Sequence, residues 1–247
     1  MRADRLVLAP NGRDPAQFFP RTVAPDPVVS APLSSQIGPR PSPSGPEPVL
    51  VFVGALTEGK RPDRFVEVVA AVRARGHKLR ALMCGDGPLA ARLAAPAASA
   101  GVEMLGPRAD VAEILRDADC MVFPSVPTGE GMPGVLIEAG LSGLPVVASA
   151  VPGVRWIVDD GVTGLVVEPD DFSAMVDATA RLVADHALRA AMGDAARRRC
   201  DAHFSLEAVA RCWWSFLEPL VARGVSEQRA RSGRGTRRAP GGRVPRR

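Results

Sequence analysis

The stretch CMVFPSVPTGEGMPGVLIEAGLSGLPVVAS, residues 120–149, reads as a strand, a loop, a helix and a second strand. CMVFPS and LPVVAS are continuous apolar runs rather than alternating ones, the pattern of strands buried on both faces of a parallel sheet. Between them Pro133 fits the first turn of a helix over about 133–142, where its missing N–H would have no intrahelical acceptor anyway. Two such strands joined by a helix make one βαβ unit.

Working outward, the same unit recurs. Apolar runs VLVFVGAL, KLRALMCGDG, VEMLG and GLVVEP begin near residues 49, 78, 102 and 164, bringing the strands to six. Helical segments are expected at about 62–75, 88–100, 109–118 and 153–159, followed by longer ones at about 170–184, 187–202 and 205–222. In the first of the long ones Phe172, Met175, Val176, Thr179 and Val183 share a face. Six strands with intervening helices predict an α/β domain with a Rossmann-like, doubly wound parallel sheet over residues 49–223.

The flanks differ in character. Residues 20–48 hold nine prolines without a period, so 21–48 read as a linker. Ahead of it, RLVLAPNGRDPAQFFP reads as a short strand running into an Asn-Gly turn. Residues 224–247 are Gly- and Arg-rich, lack large apolar side chains and are expected to be disordered.

Charge separates along the same boundary. The tail carries eight arginines and one glutamate, a net +7 in a chain of +4, which leaves −3 for residues 1–223. The folded part therefore has no general basic bias, and no specific nucleic-acid binding is expected. The tail instead suits peripheral association with an anionic membrane. No apolar run reaches the ~20 residues of a spanning helix, and the amino terminus has no signal-peptide pattern, so a cytoplasmic location is expected. Cys84, Cys120, Cys200 and Cys212 form no CxxC pair and read as reduced thiols, the first two inside strand-like runs.

In a sheet of this kind ligands bind beyond the carboxyl ends of the strands. The loops there contain Gly54-Ala55-Leu56-Thr57-Glu58-Gly59-Lys60-Arg61, Gly85-Asp86-Gly87-Pro88, Thr128-Gly129-Glu130-Gly131-Met132-Pro133-Gly134 and Pro152-Gly153. Glu130 precedes the helix and Glu138 lies inside it, so the two carboxylates should not form a close acid/base pair. The amides of Gly134 and Val135 are donors at a positive helix end. Lys60, from a neighbouring loop, could add the countercharge.

Residues 49–220 resemble the carboxyl-terminal, nucleotide-sugar-binding domain of retaining GT-B glycosyltransferases of family 4. Glu130 and Glu138 reproduce the E-x7-E motif within GEGMPGVLIEAGLSGLPVVAS, and VFVGALTEGKRPD, MCGDGPL, DADCMVFPS and DGVTGLVVEPDD follow the family's order. APNGRDPAQFF resembles the segment that closes the family's amino-terminal domain, so residues 1–20 are taken as its remnant.

The resemblance implies retaining transfer of a glycosyl group from a nucleoside diphosphate sugar to an acceptor hydroxyl, on a sugar or lipid-linked acceptor, with no metal or other cofactor. It places Glu138 on the ribose hydroxyls, Glu130 near the sugar, and the Gly134 and Val135 amides on the diphosphate or sugar. Lys60 would neutralise the departing diphosphate, making Glu130 and Lys60 the catalytic pair. Gly85 and Gly87 would border the nucleotide pocket, and Gly54, Arg61 and Met132 complete the donor-binding set.

Two features depart from the family. Where an arginine usually follows the first glycine and binds diphosphate, this chain has Ala55, so weaker donor binding is expected unless Arg61 compensates. The acceptor domain is represented only by its last segment, so a half-enzyme is expected: a fragment, a truncated product, or one subunit of an enzyme split over two chains.

The alternatives are a GT-B nucleotide-sugar epimerase and a catalytically silent nucleotide-sugar-binding module. Asp117-Ala118-Asp119 mimics a DxD metal motif but closes a helix ahead of a strand, which argues against a metal. Trp213 and Trp214 in the last helix read as core or interdomain packing.

Overall fold

The computed structural model describes residues 10–20, 47–128 and 130–232, with side chains up to residue 219. Six strands, β1 (Val49–Val53), β2 (Arg80–Cys84), β3 (Val102–Gly106), β4 (Cys120–Phe123), β5 (Val146–Ser149) and β6 (Gly164–Val167), form one sheet in the order β3-β2-β1-β4-β5-β6. Every pairing is parallel. The helices are α1 (Pro62–Ala74), α2 (Ala90–Ala100), α3 (Val111–Asp117), α4 (Gly134–Leu141), α5 (Val154–Ile157), α6 (Phe172–Ala184), α7 (His186–Phe204) and α8 (Leu206–Ser232). The expected doubly wound architecture is present, with each strand and every helix but the last within a few residues of its expected place.

Successive residues of a strand face opposite sides of the sheet, which sorts the core into two layers. Leu50 and Phe52 of β1, Cys120 and Val122 of β4, and Val147 of β5 pack with Phe65, Val69 and Val72 of α1, Leu93 of α2 and Met175 and Leu182 of α6. Val49 and Val51, Met121 and Phe123, and Val146 and Ala148 face the other way. They meet Ile114 and Leu115 of α3, Leu136 and Ile137 of α4, Ile157 of α5 and Cys200 of α7. Both faces are covered, which is why these strands read as unbroken apolar runs.

Local chemistry sets several boundaries. Asp171 caps α6 by accepting from the Ala174 amide at 2.8 Å, and Asp185 caps α7 by accepting from Leu188 at 2.9 Å. Pro133 sits one residue outside α4, at its cap, with extended backbone (ψ 106°), rather than within the first turn. Similarly, Pro88 lies in the turn before α2 rather than at its start.

The carboxyl-terminal helix departs most from expectation. α8 continues to Ser232, so the Arg-rich segment begins as helix rather than as disordered chain from residue 224. Trp213 and Trp214 on α8 are 48% and 61% exposed, which removes the core half of their expected reading and leaves interdomain packing. The amino-terminal strand, nearly all of the proline-rich linker and residues 233–247 lie outside the described residues. Among the described residues no helix is long and apolar enough to cross a membrane.

Residues 10–20 dock on the sheet domain. Phe18 is buried in the second core layer. Arg197 of α7 donates to the Phe18 carbonyl at 2.7 Å and also to that of Leu141, at the end of α4. The Arg116 guanidinium stacks 3.9 Å over the Phe19 ring. Arg13 forms a parallel bridge with Ser205: its amide donates to Phe204 at 2.9 Å, and its carbonyl accepts from Leu206 at 2.9 Å.

Candidate active site

Strand order reverses between β1 and β4, and in an open α/β sheet that switch point is where a ligand crevice forms. The loops leaving these two strands carry Lys60 and Glu130, which form an ion pair. Glu130 is 6% exposed on its side chain and Lys60 31%. The loops are also joined through their backbones, since the Val126 amide donates to the Gly59 carbonyl at 2.9 Å. The Lys60 ammonium lies 5.7 Å from the Phe123 ring centroid, so an aromatic wall flanks it as well.

Glu138, one turn into α4, does not meet Glu130's partner. Its Oε1 accepts from Arg13 Nε at 2.6 Å. The two glutamates thus pair with different cations, in keeping with their expected separation. The Arg13 guanidinium lies against Gly134, so close that a Cβ there would overlap its Nη2. Gly134 and Val135 open α4, and the first amides of a helix have no intrahelical acceptor.

Asn11 completes this edge. Its amide donates to the Met132 sulfur at 3.2 Å and its side chain to the Met132 carbonyl at 3.3 Å. On the other side Gly153, with φ 81°, abuts the Gly131 carbonyl so closely that no side chain would fit. The glutamate-bearing loop is therefore gripped by the amino-terminal segment and by the loop after β5.

The remaining expected site residues divide. Gly54, Gly85 and Gly87 lie where the loops after β1 and β2 zip together. Gly54 donates to Cys84 at 3.0 Å, Leu56 to Asp86 at 2.9 Å and Leu89 to Leu56 at 3.0 Å. A Cβ at Gly85 would collide with the Gly54 carbonyl, and one at Gly87 would lie 2.6 Å from that of Leu56. Close backbone packing thus accounts for both glycines before any ligand is considered. Arg61 adopts a left-handed conformation (φ 49°) at the cap of α1, and its guanidinium lies 3.7 Å from the exposed Asp170.

Asp119 belongs to the opposite end of the sheet. Its carboxylate accepts from the Val49 amide at 2.8 Å and its own amide donates to the Val49 carbonyl at 2.8 Å, fastening the start of β1. That is a structural use of the DxD-like pair. Cys84, Cys120 and Cys200 are buried free thiols, as expected, with burial pushing each thiol upward and Cys120 and Cys200 to about 12.

Sequence reasoning had the opening glutamates, Lys60 and the helix start, but not Arg13 or Asn11. Both lie in APNGRDPAQFF, which was recognisable as a segment without showing that its arginine would reach α4.

The family description "Glycosyl transferases group 1" matches residues 47–185. The chain belongs to this family. A D-inositol 3-phosphate glycosyltransferase of Corynebacterium kroppenstedtii is 33% identical over 190 residues, covering 71% of this chain and 41% of its own. The exopolysaccharide phosphotransferase SCO2592 of Streptomyces coelicolor is 30% identical over 201 residues, 79% of this chain but 21% of its own. Among solved structures, Anabaena Alr3699/HepE in complex with UDP superposes with a TM-score of 0.71 at 20% identity, over 90% of this chain and 58% of the other. That likeness bears on the fold. The chain spans 41% and 21% of the length of the two curated relatives and 58% of the structural neighbour, and the differing names of the first two belong to whole proteins of which it matches a part.

Proposed function

We propose that this group 1 glycosyl transferase chain binds a nucleoside diphosphate sugar at the β1/β4 crevice and forms the donor-binding half of a retaining glycosyltransferase of family 4 type. One observation carries the reading: Lys60 from the loop after β1 pairs with Glu130 just ahead of α4, Glu138 lies one turn into the same helix, and the first amides of α4 fall between the two glutamates. Relatives that include a D-inositol 3-phosphate glycosyltransferase support sugar transfer as the reaction class.

In this reading Glu138 accepts hydrogen bonds from the ribose hydroxyls through the carboxylate capacity that Arg13 leaves open. The Gly134 and Val135 amides face the diphosphate. As the bond between the anomeric carbon and the diphosphate oxygen breaks, negative charge grows on the leaving group. Lys60 and the positive end of α4 are already in place to stabilise it, a preorganised electrostatic contribution. The acceptor hydroxyl, a sugar or a lipid-linked one, bonds to that carbon on the face the diphosphate leaves, and its proton passes to the departing diphosphate. Glu130 holds Lys60 beside the sugar. The acceptor site is supplied by a second domain or chain.

Calorimetric titration of the chain with UDP- and GDP-sugars tests the reading. Binding should be detectable, and Glu138→Ala should weaken it by about tenfold or more, the loss of a hydrogen bond to a charged group. Undiminished binding by Glu138→Ala would sink the assignment.

A further inference from the structure

We propose that Arg13 is a diphosphate-binding residue of this chain, held in position by Glu138. The inference rests on the nucleotide-sugar reading above and adds to it a ligand from outside the sheet domain.

The placement of Arg13 is unusual electrostatically. A helix amino terminus carries the positive end of the macrodipole, which favours anions and disfavours cations. Yet the guanidinium lies against Gly134, the first residue of α4. Glu138 satisfies its Nε at 2.6 Å, and Nη1 donates to the Gly12 carbonyl at 3.1 Å. Nη2, the nitrogen nearest Gly134, has no acceptor among the described residues. A second anion bridging the open side of the guanidinium and the helix amides would offset the like-charge contact and give that donor an acceptor.

The arrangement is built rather than incidental. The Arg13 backbone is bonded on both sides to the α7–α8 junction. Asn11, two residues earlier, bonds to Met132 ahead of α4, and Phe18 anchors the segment in the core. The guanidinium therefore cannot drift far from the helix start. Its side chain is nonetheless 34% exposed, which leaves an open face toward solvent and ligand.

Guanidinium groups bind phosphate oxygens through paired N–H donors. The loop after β1 supplies Lys60 but carries Ala55 where an arginine would give a second cation, and Arg61 turns instead to Asp170. Arg13 supplies the missing charge from a different element.

The test is titration of the full chain with UDP, GDP and ADP, each set against its own nucleoside. Arg13→Ala and Arg13→Gln should weaken diphosphate binding about tenfold or more while leaving the nucleoside unchanged. Arg13→Lys should restore part of the loss, and the diphosphate affinity of the parent should fall more steeply with salt than that of Arg13→Gln. Diphosphate binding that is equal or tighter in both Arg13→Ala and Arg13→Gln would overturn the inference and make Arg13 a plug on Glu138. Equal weakening of diphosphate and nucleoside would also overturn it, leaving Arg13 a purely architectural residue. If the parent binds none of these ligands, the nucleotide-sugar reading itself falls, and this inference with it.

Discussion

Cys120 and Cys200 have thiols that burial pushes up to about 12, and Cys84 is shifted in the same direction. An unfolded cysteine ionises near 8.5, so above that pH the unfolded chain releases protons that the folded one retains. The sign follows: the stability tied to each thiol is complete below about pH 8.5 and is lost as pH rises toward the folded value. The slope is at most about 1.4 kcal/mol per pH unit for each thiol. The chain has no tyrosine to obscure that window. Urea unfolding at a series of pH values from about 8 to about 10 should show stability falling with pH, and Cys120→Ala should fall less steeply whatever its starting stability. Parallel slopes would show that Cys120 ionises as readily folded as unfolded.

At the scale of elements, the crossing of α4 and α7 determines how the glutamate-bearing helix is held. Gly140 on α4 faces Cys200 on α7, and a Cβ on Gly140 would overlap the Cys200 sulfur. At Gly193 of α7 a Cβ would overlap the Gly143 carbonyl, just past α4. The helices approach through missing side chains on both sides. In an exposed helix Gly→Ala would stabilise by up to about 1 kcal/mol. Here Gly140→Ala should instead destabilise by roughly 1–3 kcal/mol, the range for overpacking a filled core. Chemical denaturation of Gly140→Ala, Cys200→Ala and the double variant checks the cause. The double variant should recover much of the loss, and additive losses would place the strain elsewhere.

For the molecule as a whole, legibility followed distance along the chain. The strands could be read because burial on both faces leaves unbroken apolar runs, and the ends of α6 and α7 because Asp171 and Asp185 cap them locally. Lys60 and Glu130 could be expected near each other because adjacent strand ends must share a crevice. The pairing of Arg13 with Glu138 spans 125 positions and depends on how residues 10–20 dock, which no local pattern encodes. Nor does local pattern reveal what a helix leaves uncovered. The aromatic content of α8 suggested burial, but its apolar side chains Leu206, Trp213, Trp214, Phe216 and Leu217 are all exposed. Exposed apolar side chains of that kind are what packing against a further domain would cover, the interdomain half of the expected reading. Trp156, the remaining tryptophan of the three, is also 53% exposed. All the indole emission of the native chain should therefore come from solvated rings. Its maximum should already lie near that of the urea-unfolded chain, and iodide should quench most of it, while far-ultraviolet circular dichroism still reports folded helix. A native spectrum well to the blue of the unfolded one would show that α8 is covered in solution. If that blue shift then faded on dilution, the cover would be a second copy of the chain.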